Sequence, residues 1–158
     1  MTTGHEIAIA LRAAYLAMHR RSEVAFARYG VTADQFVLLA TLSRRNALTQ
    51  RELATRMSSD PSTVRAMLVL LERRGLVERD PHPTDARART VALTAEGTRA
   101  FRRLWSAGEP IRAQMLGAFQ PGQAATLVEL LTQVAEALNP ESATVGGPRS
   151  SNPQRDQT

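Results

Sequence analysis

The chain has 158 residues, 43% hydrophobic and 4% aromatic, with 20 basic against 15 acidic side chains and a formal net charge of +5. That length fits one domain or two closely packed lobes rather than a multidomain enzyme. Cysteine is absent, which excludes disulfides, thiolate zinc sites, iron–sulfur clusters and thiol-based redox sensing by this chain.

All 20 basic residues are arginine. Arginine stays charged and offers a planar fork of donors matched to phosphate oxygens, so the balance points to a polyanion such as nucleic acid. A GC-rich coding sequence accounts for the missing lysines equally well. The start, MTTGHEIAIALRAAYLAMHRR, lacks a basic n-region and a small-residue cleavage site. No apolar run reaches the ~18 residues that cross a bilayer. A soluble cytoplasmic protein, without membrane contact, is the expectation.

Along residues 5 to 28, Ile7, Leu11, Ala14, Tyr15, Met18 and Ala25 recur at three- and four-residue spacings, which predicts an amphipathic helix ended by Tyr29-Gly30. Thr32 with Gln35 and Thr49 with Glu52 are capping boxes. They start a second helix over about 33–44 and a short third over 50–57. Asp60-Pro61 reads as an N-cap followed by a first-turn proline, opening a fourth helix that Gly75 closes. Two helices joined by the polar stretch Ser58-Ser59-Asp60 make a helix-turn-helix.

Leu76–Arg79 and Thr90–Leu93 read as strands flanking a long basic tip, in which Pro81 and Pro83 exclude a helix. Thr94 caps a long fifth helix, interrupted near Gly108 and Pro110 and ending around Phe119. A sixth, from about Gly122 to Leu138, carries Leu127, Leu130, Leu131, Val134 and Leu138 on one face. From Asn139 onward prolines and polar residues leave too little to bury, so 139–158 is expected to be a disordered tail.

The ordered set of motifs resembles the MarR family of bacterial transcription regulators over roughly residues 5 to 138. Asp60-Pro61-Ser62-Thr63-Val64 opens the recognition helix, and Leu71-Glu72-Arg73-Arg74-Gly75-Leu76-Val77 closes it. Asp85-Ala86-Arg87 through Leu93-Thr94-Ala95-Glu96-Gly97 matches the wing signature D-x-R-x5-L-T-x-x-G. The resemblance implies a mainly α fold with a small β-hairpin wing: a winged helix-turn-helix over about 32–94 plus a helical dimerisation lobe from about 5–29 and 95–138. The helices of that lobe would intertwine with those of a second copy. A two-fold dimer would present two recognition helices to a pseudo-palindromic operator in double-stranded DNA.

At about 100° per residue, Val64, Leu68 and Leu71 with Met67 form the buried side of the fourth helix, and Ser62, Arg65, Ala66, Val69 and Arg73 the free side. Ser62 and Thr63 can bond phosphate or base acceptors. Arg65 can take guanine O6 and N7 or a phosphate, and Ala66 and Val69 can touch thymine methyls. Ser59 and Pro61 complete the expected DNA-binding set on this element; for any one of these residues, a plain solvated face is the competing reading. Many relatives carry arginine at the positions of Ala66 and Leu70 and an acid at Val69. A thymine-rich half-site is one reading of that departure; packing of Leu70 on a neighbouring helix or ligand pocket is the other.

Arg87 and Arg89 alternate along a strand and are expected to point the same way, with Asp85 holding Arg87 through a charge-assisted hydrogen bond. An ordinary surface ion pair is the alternative. The resemblance implies that a wing arginine reaches into the adjacent minor groove. Between positions 44 and 103 there are thirteen arginines against seven acids, and elsewhere seven against eight, so the positive excess lies in the winged segment.

Family members often bind small phenolic or carboxylate effectors between the two lobes, and the resemblance makes Tyr15, His19, Phe36, Arg65 and Trp105 the candidate lining residues here. Aromatics at helical spacing are more often core. The three histidines (5, 19 and 82) form no evident metal cluster, no cofactor motif occurs, and no phosphate loop or nucleophile motif supports an enzyme. The alternative function is a nucleoid-associated protein binding DNA by charge with little sequence preference.

Overall fold

The structure, a computed structural model, describes residues 1–139. The tail expected over 139–158 lies, but for Asn139, outside the described residues. In chain order the elements are α1 (Gly4–Ala27), α2 (Ala33–Ser43), β1 (Leu48–Thr49), α3 (Gln50–Arg56), α4 (Pro61–Arg73), β2 (Val77–Pro81), β3 (Arg89–Leu93), α5 (Ala95–Ala107), α6 (Glu109–Gly117) and α7 (Gln123–Leu138). They divide into two compact units, Met1–Met115 and the chain from Leu116 onward.

Capping sets most helix starts in the first unit. The Thr32 and Thr49 hydroxyls accept from the backbone N–H of Gln35 and Glu52, whose side chains accept from the N–H of Thr32 and Thr49 in return. Thr3 and Glu6 form a third such box at the start of α1, which the apolar periodicity alone does not reveal. Asp60 caps α4 by accepting from Thr63 N–H at 3.0 Å, and Pro61 occupies the first turn, where no N–H is required. Gly75 ends α4 with φ +70°, the left-handed backbone that favours glycine.

The core of this unit gathers one face of each helix. Val64, Leu68 and Leu71 of α4 are fully buried together with Leu38, Leu39 and Leu42 of α2, Leu53 of α3 and Leu104 of α5. Each such side chain contributes roughly 1.5–3 kcal/mol of burial. The sheet has the order β1-β3-β2, antiparallel throughout, with Leu48 opposite Val91 and Val77 opposite Leu93. Pro81 lies at the end of the edge strand β2, where its missing donor breaks no internal ladder.

Three expectations change. The two-residue strand β1 was not legible locally, since its partner lies more than forty positions away. The interruption expected near Gly108 and Pro110 is present, but as a full break at Gly108 into two helices, α5 and α6, with Pro110 in the first turn of α6. The hairpin strands run further into the tip than predicted, to Pro81 and from Arg89.

On α1 the predicted apolar stripe is largely open within the chain: Ile7, Tyr15 and Met18 are exposed and only Phe26 is buried. In the second unit α7 likewise has no buried residue, with Leu127, Val128, Leu130, Leu131 and Leu138 exposed. Among the described residues no helix is long and apolar enough to cross a membrane.

Candidate nucleic-acid interface

Because α4 is anchored by Val64, Met67, Leu68 and Leu71, its opposite side faces outward. Pro61, Ser62, Thr63, Arg65, Ala66 and Arg73 are exposed there and Val69 is half-buried. Leu70 is 50% exposed. Ser59 is half-buried in the turn and its N–H donates to Ala54 O at 3.0 Å. The preceding residue, Ser58, holds φ +49°, a left-handed backbone that helps turn the chain within the four residues, 57 to 60, between α3 and α4.

The Ser62 hydroxyl donates to Asp60 Oδ2, as does the Thr63 hydroxyl at 3.3 Å. These bonds, the one from Ser62 foremost, hold the Asp60 carboxyl below the ordinary aspartate range.

Beside the helix lies a cleft of about 480 Å³ lined by Thr49, Gln50, Arg51, Arg65, Arg79, Arg87, Ala88 and Arg89. It brings arginines of α3, α4, β2, the wing tip and β3 to one place. Arg65, Arg87 and Arg89 were predicted site residues; Arg51 and Arg79 were not. Arg51 carries a faint local signal, standing in the first turn of α3 just behind its cap, while Arg79 reads as an ordinary strand residue.

Of the thirteen arginines between positions 44 and 103, four are engaged. Arg74 donates to the carbonyls of Tyr29 and Gly30, tying the α1–α2 turn to the end of α4. Arg79 pairs with Glu72, and Arg99 and Arg103 share Glu96. The hydrogen bond from Arg79 depresses the Glu72 carboxyl, and those from Arg99 and Arg103 depress that of Glu96. The other nine, at 44, 45, 51, 56, 65, 73, 87, 89 and 102, make no ion pair or side-chain hydrogen bond among the described residues. Four of them line or cap the α4 and wing cleft.

The wing departs from its predicted geometry. Arg87 lies in the turn before β3 and not on the strand, so it does not alternate with Arg89. Asp85 reaches Arg87 through the backbone: its Oδ1 accepts from Arg87 N–H at 3.0 Å, and no contact with the guanidinium occurs among the described residues. His82 Nδ1 accepts from the N–H of Thr84 and Asp85, at 3.2 and 3.1 Å, and closes the same turn. The tip is therefore shaped by backbone capping, which leaves the Arg87 guanidinium unengaged.

The wing is fixed to the helices at one crowded point. Thr94 caps α5 by accepting from Gly97 N–H at 2.9 Å, donates its hydroxyl to Gly75 O at 2.6 Å, and its own N–H bonds Leu76 O. Gly97 sits so close to Leu76 that a Cβ there would meet the Leu76 carbonyl oxygen at 1.8 Å. The Thr-x-x-Gly spacing is thus the packing of α5 against the root of β2.

The predicted effector residues separate into two groups. Phe36 and Trp105 join an aromatic chain Phe26–Phe36–Phe101–Trp105, with centroid separations of 4.6, 6.0 and 5.8 Å. Trp105 lines a cleft of about 350 Å³ with Ala40, Arg44, Phe101, Arg102 and Ser106, and Phe36 a neighbouring one with Arg44, Arg45 and Arg56. Tyr15 and His19 pack with tilted rings on α1, 5.5 Å between centroids, and His19 faces Glu23 and Asp34 at 3.7 and 4.0 Å. Arg65 lies in the wing cleft instead. Phe101, Arg44 and Arg102 were missed because sequence spacing alone does not tell which arginines lean over an aromatic cluster.

A helix-turn-helix with an exposed second helix, a three-stranded wing beside it and a field of unengaged arginines between them define a winged helix-turn-helix protein. Residues 31–88 match the MarR family. Over 134 residues the chain is 30% identical to the HTH-type transcriptional repressor MdtR of Bacillus subtilis, an alignment covering 83% of this chain and 86% of that relative. Its structure is similar to that of a MarR family transcriptional regulator from Streptomyces coelicolor in complex with DNA: TM-score 0.77, 25% identity, over 87% of this chain and 90% of that one. It is also similar to Bordetella bronchiseptica BpsR, in a structure concerned with regulation of DNA binding by 6-hydroxynicotinic acid: TM-score 0.74, 25% identity, over 82% and 98% of the two chains. The chain belongs to the MarR family and is a transcriptional regulator; its relatives are regulators too, not enzymes.

Proposed function

We propose that the protein is a cytoplasmic homodimeric repressor that binds a pseudo-palindromic operator through α4 and the wing, and leaves it when a small aromatic or phenolic effector binds. The observation that carries this reading is the cluster of unengaged arginines, Arg51, Arg65, Arg87 and Arg89, around the cleft beside the exposed face of α4. Folding leaves these charges without protein partners, and phosphates supply them. Ser59, Pro61, Ser62, Thr63, Arg65, Ala66, Val69 and Arg73 form the major-groove face; Asp85, Arg87 and Arg89 belong to the wing.

The domain assignment follows: a winged segment over about 32–94, with dimerisation helices over about 5–29 and 95–138. The exposed apolar side chains of α1 and α7 support it, since apolar patches of that kind are covered by a partner. For the effector, Phe101 and Trp105 offer aromatic surface, one face of Trp105 being covered by the Arg112 guanidinium 3.8 Å from its centroid, and Arg44 and Arg102 beside them offer donors to a carboxylate. Phe36 lines the adjoining cleft, while Tyr15 and His19 stand as a separate pair on α1.

The test is footprinting on the DNA upstream of its own gene and its neighbours. A discrete two-fold symmetric footprint, weakened by Arg87→Ala and released by an aromatic acid that also raises the melting temperature, supports the reading. Equal displacement by competitor DNA of any sequence sinks it in favour of a charge-driven nucleoid protein.

A further inference from the structure

The outward ridge of α4 narrows what kind of sequence it can read. At about 100° per residue, the direction opposite the buried Val64, Leu68 and Leu71 is occupied by Ser62, Ala66, Val69 and Arg73. Arg65 stands on one flank, turned into the wing cleft, and the exposed Leu70 on the other. The hydroxyls of Ser62 and Thr63 are within hydrogen-bond reach of Asp60 at the start of the helix. Between Ser62 and Arg73 the middle of the ridge is Ala66 and Val69, whose side chains offer no hydrogen-bond donor to a base edge.

Major-groove edges are made of hydrogen-bonding atoms and, at C5 of the pyrimidines, an apolar group: a bare C–H on cytosine and a protruding methyl on thymine. An alanine or valine placed against guanine O6 and N7, or against an adenine amino group, strips water from them and returns nothing. Placed against a thymine methyl, the same side chain buries apolar surface on both partners.

Resting on the regulator reading above, we infer that Ala66 and Val69 select half-sites by contact with thymine C5-methyls, so that the base pairs under the middle of α4 carry thymine on the strand facing the ridge. Affinity from charge is supplied by the arginines around it, and discrimination at these positions by the methyls. Leu70 widens the apolar surface on the side away from the wing.

The experiment uses the full chain and a pool of randomised duplexes. Bound duplexes are enriched and sequenced, and the winner is resynthesised with deoxyuridine, which lacks only the methyl, at each thymine in turn. The expected result is enrichment of thymine at two or more positions per half-site, and about a fourfold loss of affinity for each contacted methyl removed. In Val69→Ala, which trims a half-buried side chain outside the buried core of Val64, Leu68 and Leu71, the thymine to deoxyuridine ratio at one of those positions falls toward one. An enriched duplex that binds equally well with deoxyuridine throughout overturns this inference and leaves the regulator reading standing. Failure to enrich any sequence overturns both.

Discussion

Replacing Gly97 with alanine separates local propensity from tertiary packing, because the two disagree in sign. Gly97 lies in the first turn of α5, and helix propensity by itself favours alanine there by about 1 kcal/mol. Its added Cβ would stand 1.8 Å from the Leu76 carbonyl oxygen and 2.9 Å from the carbonyl carbon, where ordinary contact begins at 3.4 Å. The obstacle is backbone, so α5 and the root of β2 must separate by roughly 1.6 Å instead of a side chain turning aside.

Overpacking of this kind costs about 1–3 kcal/mol, and the separation also strains the 3.2 Å bond from Thr94 N–H to Leu76 O and the Thr94 bond to Gly75. Each is worth about 1 kcal/mol. The net expectation is a destabilisation of about 2–4 kcal/mol, or a fall in Tm of about 10 °C for a chain of this size. Thermal melting at matched protein concentration measures it, and Gly108→Ala is the control. There the close neighbour is the movable guanidinium of Arg112, with Phe26 at 3.4 Å, and little change is expected. A Gly97→Ala protein melting at or above the parent would refute the reasoning.

The arginines divide into two classes that salt titration distinguishes. Arg87→Ala lowers the steepness of log affinity against log salt by about two per dimer, one for each copy, while leaving Tm unchanged. Arg74→Ala lowers Tm, because it releases the carbonyls of Tyr29 and Gly30, and leaves that slope as it was. Hydrogen bonds hold the carboxyls of Glu52, Asp60, Glu72 and Glu96 below their ordinary values of 4.5 and 3.8, so their contribution to stability is complete above about those values. It is lost as the pH falls through the lower folded values, and a pH series of Tm is expected to be flat near neutrality and to drop in acid. His82→Ala removes the acceptor that closes the wing tip and weakens operator binding about fivefold, the worth of roughly one hydrogen bond. His82→Asn, whose Oδ1 can accept from the same two amides, restores most of that loss in the same anisotropy titration.

What could be read from the sequence is what neighbouring residues decide among themselves. The capping pairs Thr32 with Gln35 and Thr49 with Glu52 act across three positions, Gly75 ends α4 through its own backbone freedom, and the apolar spacing of Val64, Leu68 and Leu71 names the buried side. These interactions need no knowledge of distant chain, and the order of elements with the fourth helix as an outward-facing one follows from them. Composition adds the location of the positive charge, which is a matter of counting.

Tertiary structure alone decided which arginines are engaged and which are left over. Arg74 and Arg73 are adjacent and alike in sequence, yet one is bound to the turn after α1 and the other is unengaged. The strand β1 exists only because β3 is there to pair with it, and Arg87 sits in a turn because Asp85 and His82 cap the backbone around it. Gly97 looks like a poor helix residue until Leu76 is placed against it. Each of these depends on groups brought together by closing long loops, and the energy of such contacts has no periodicity along the chain from which it could be read.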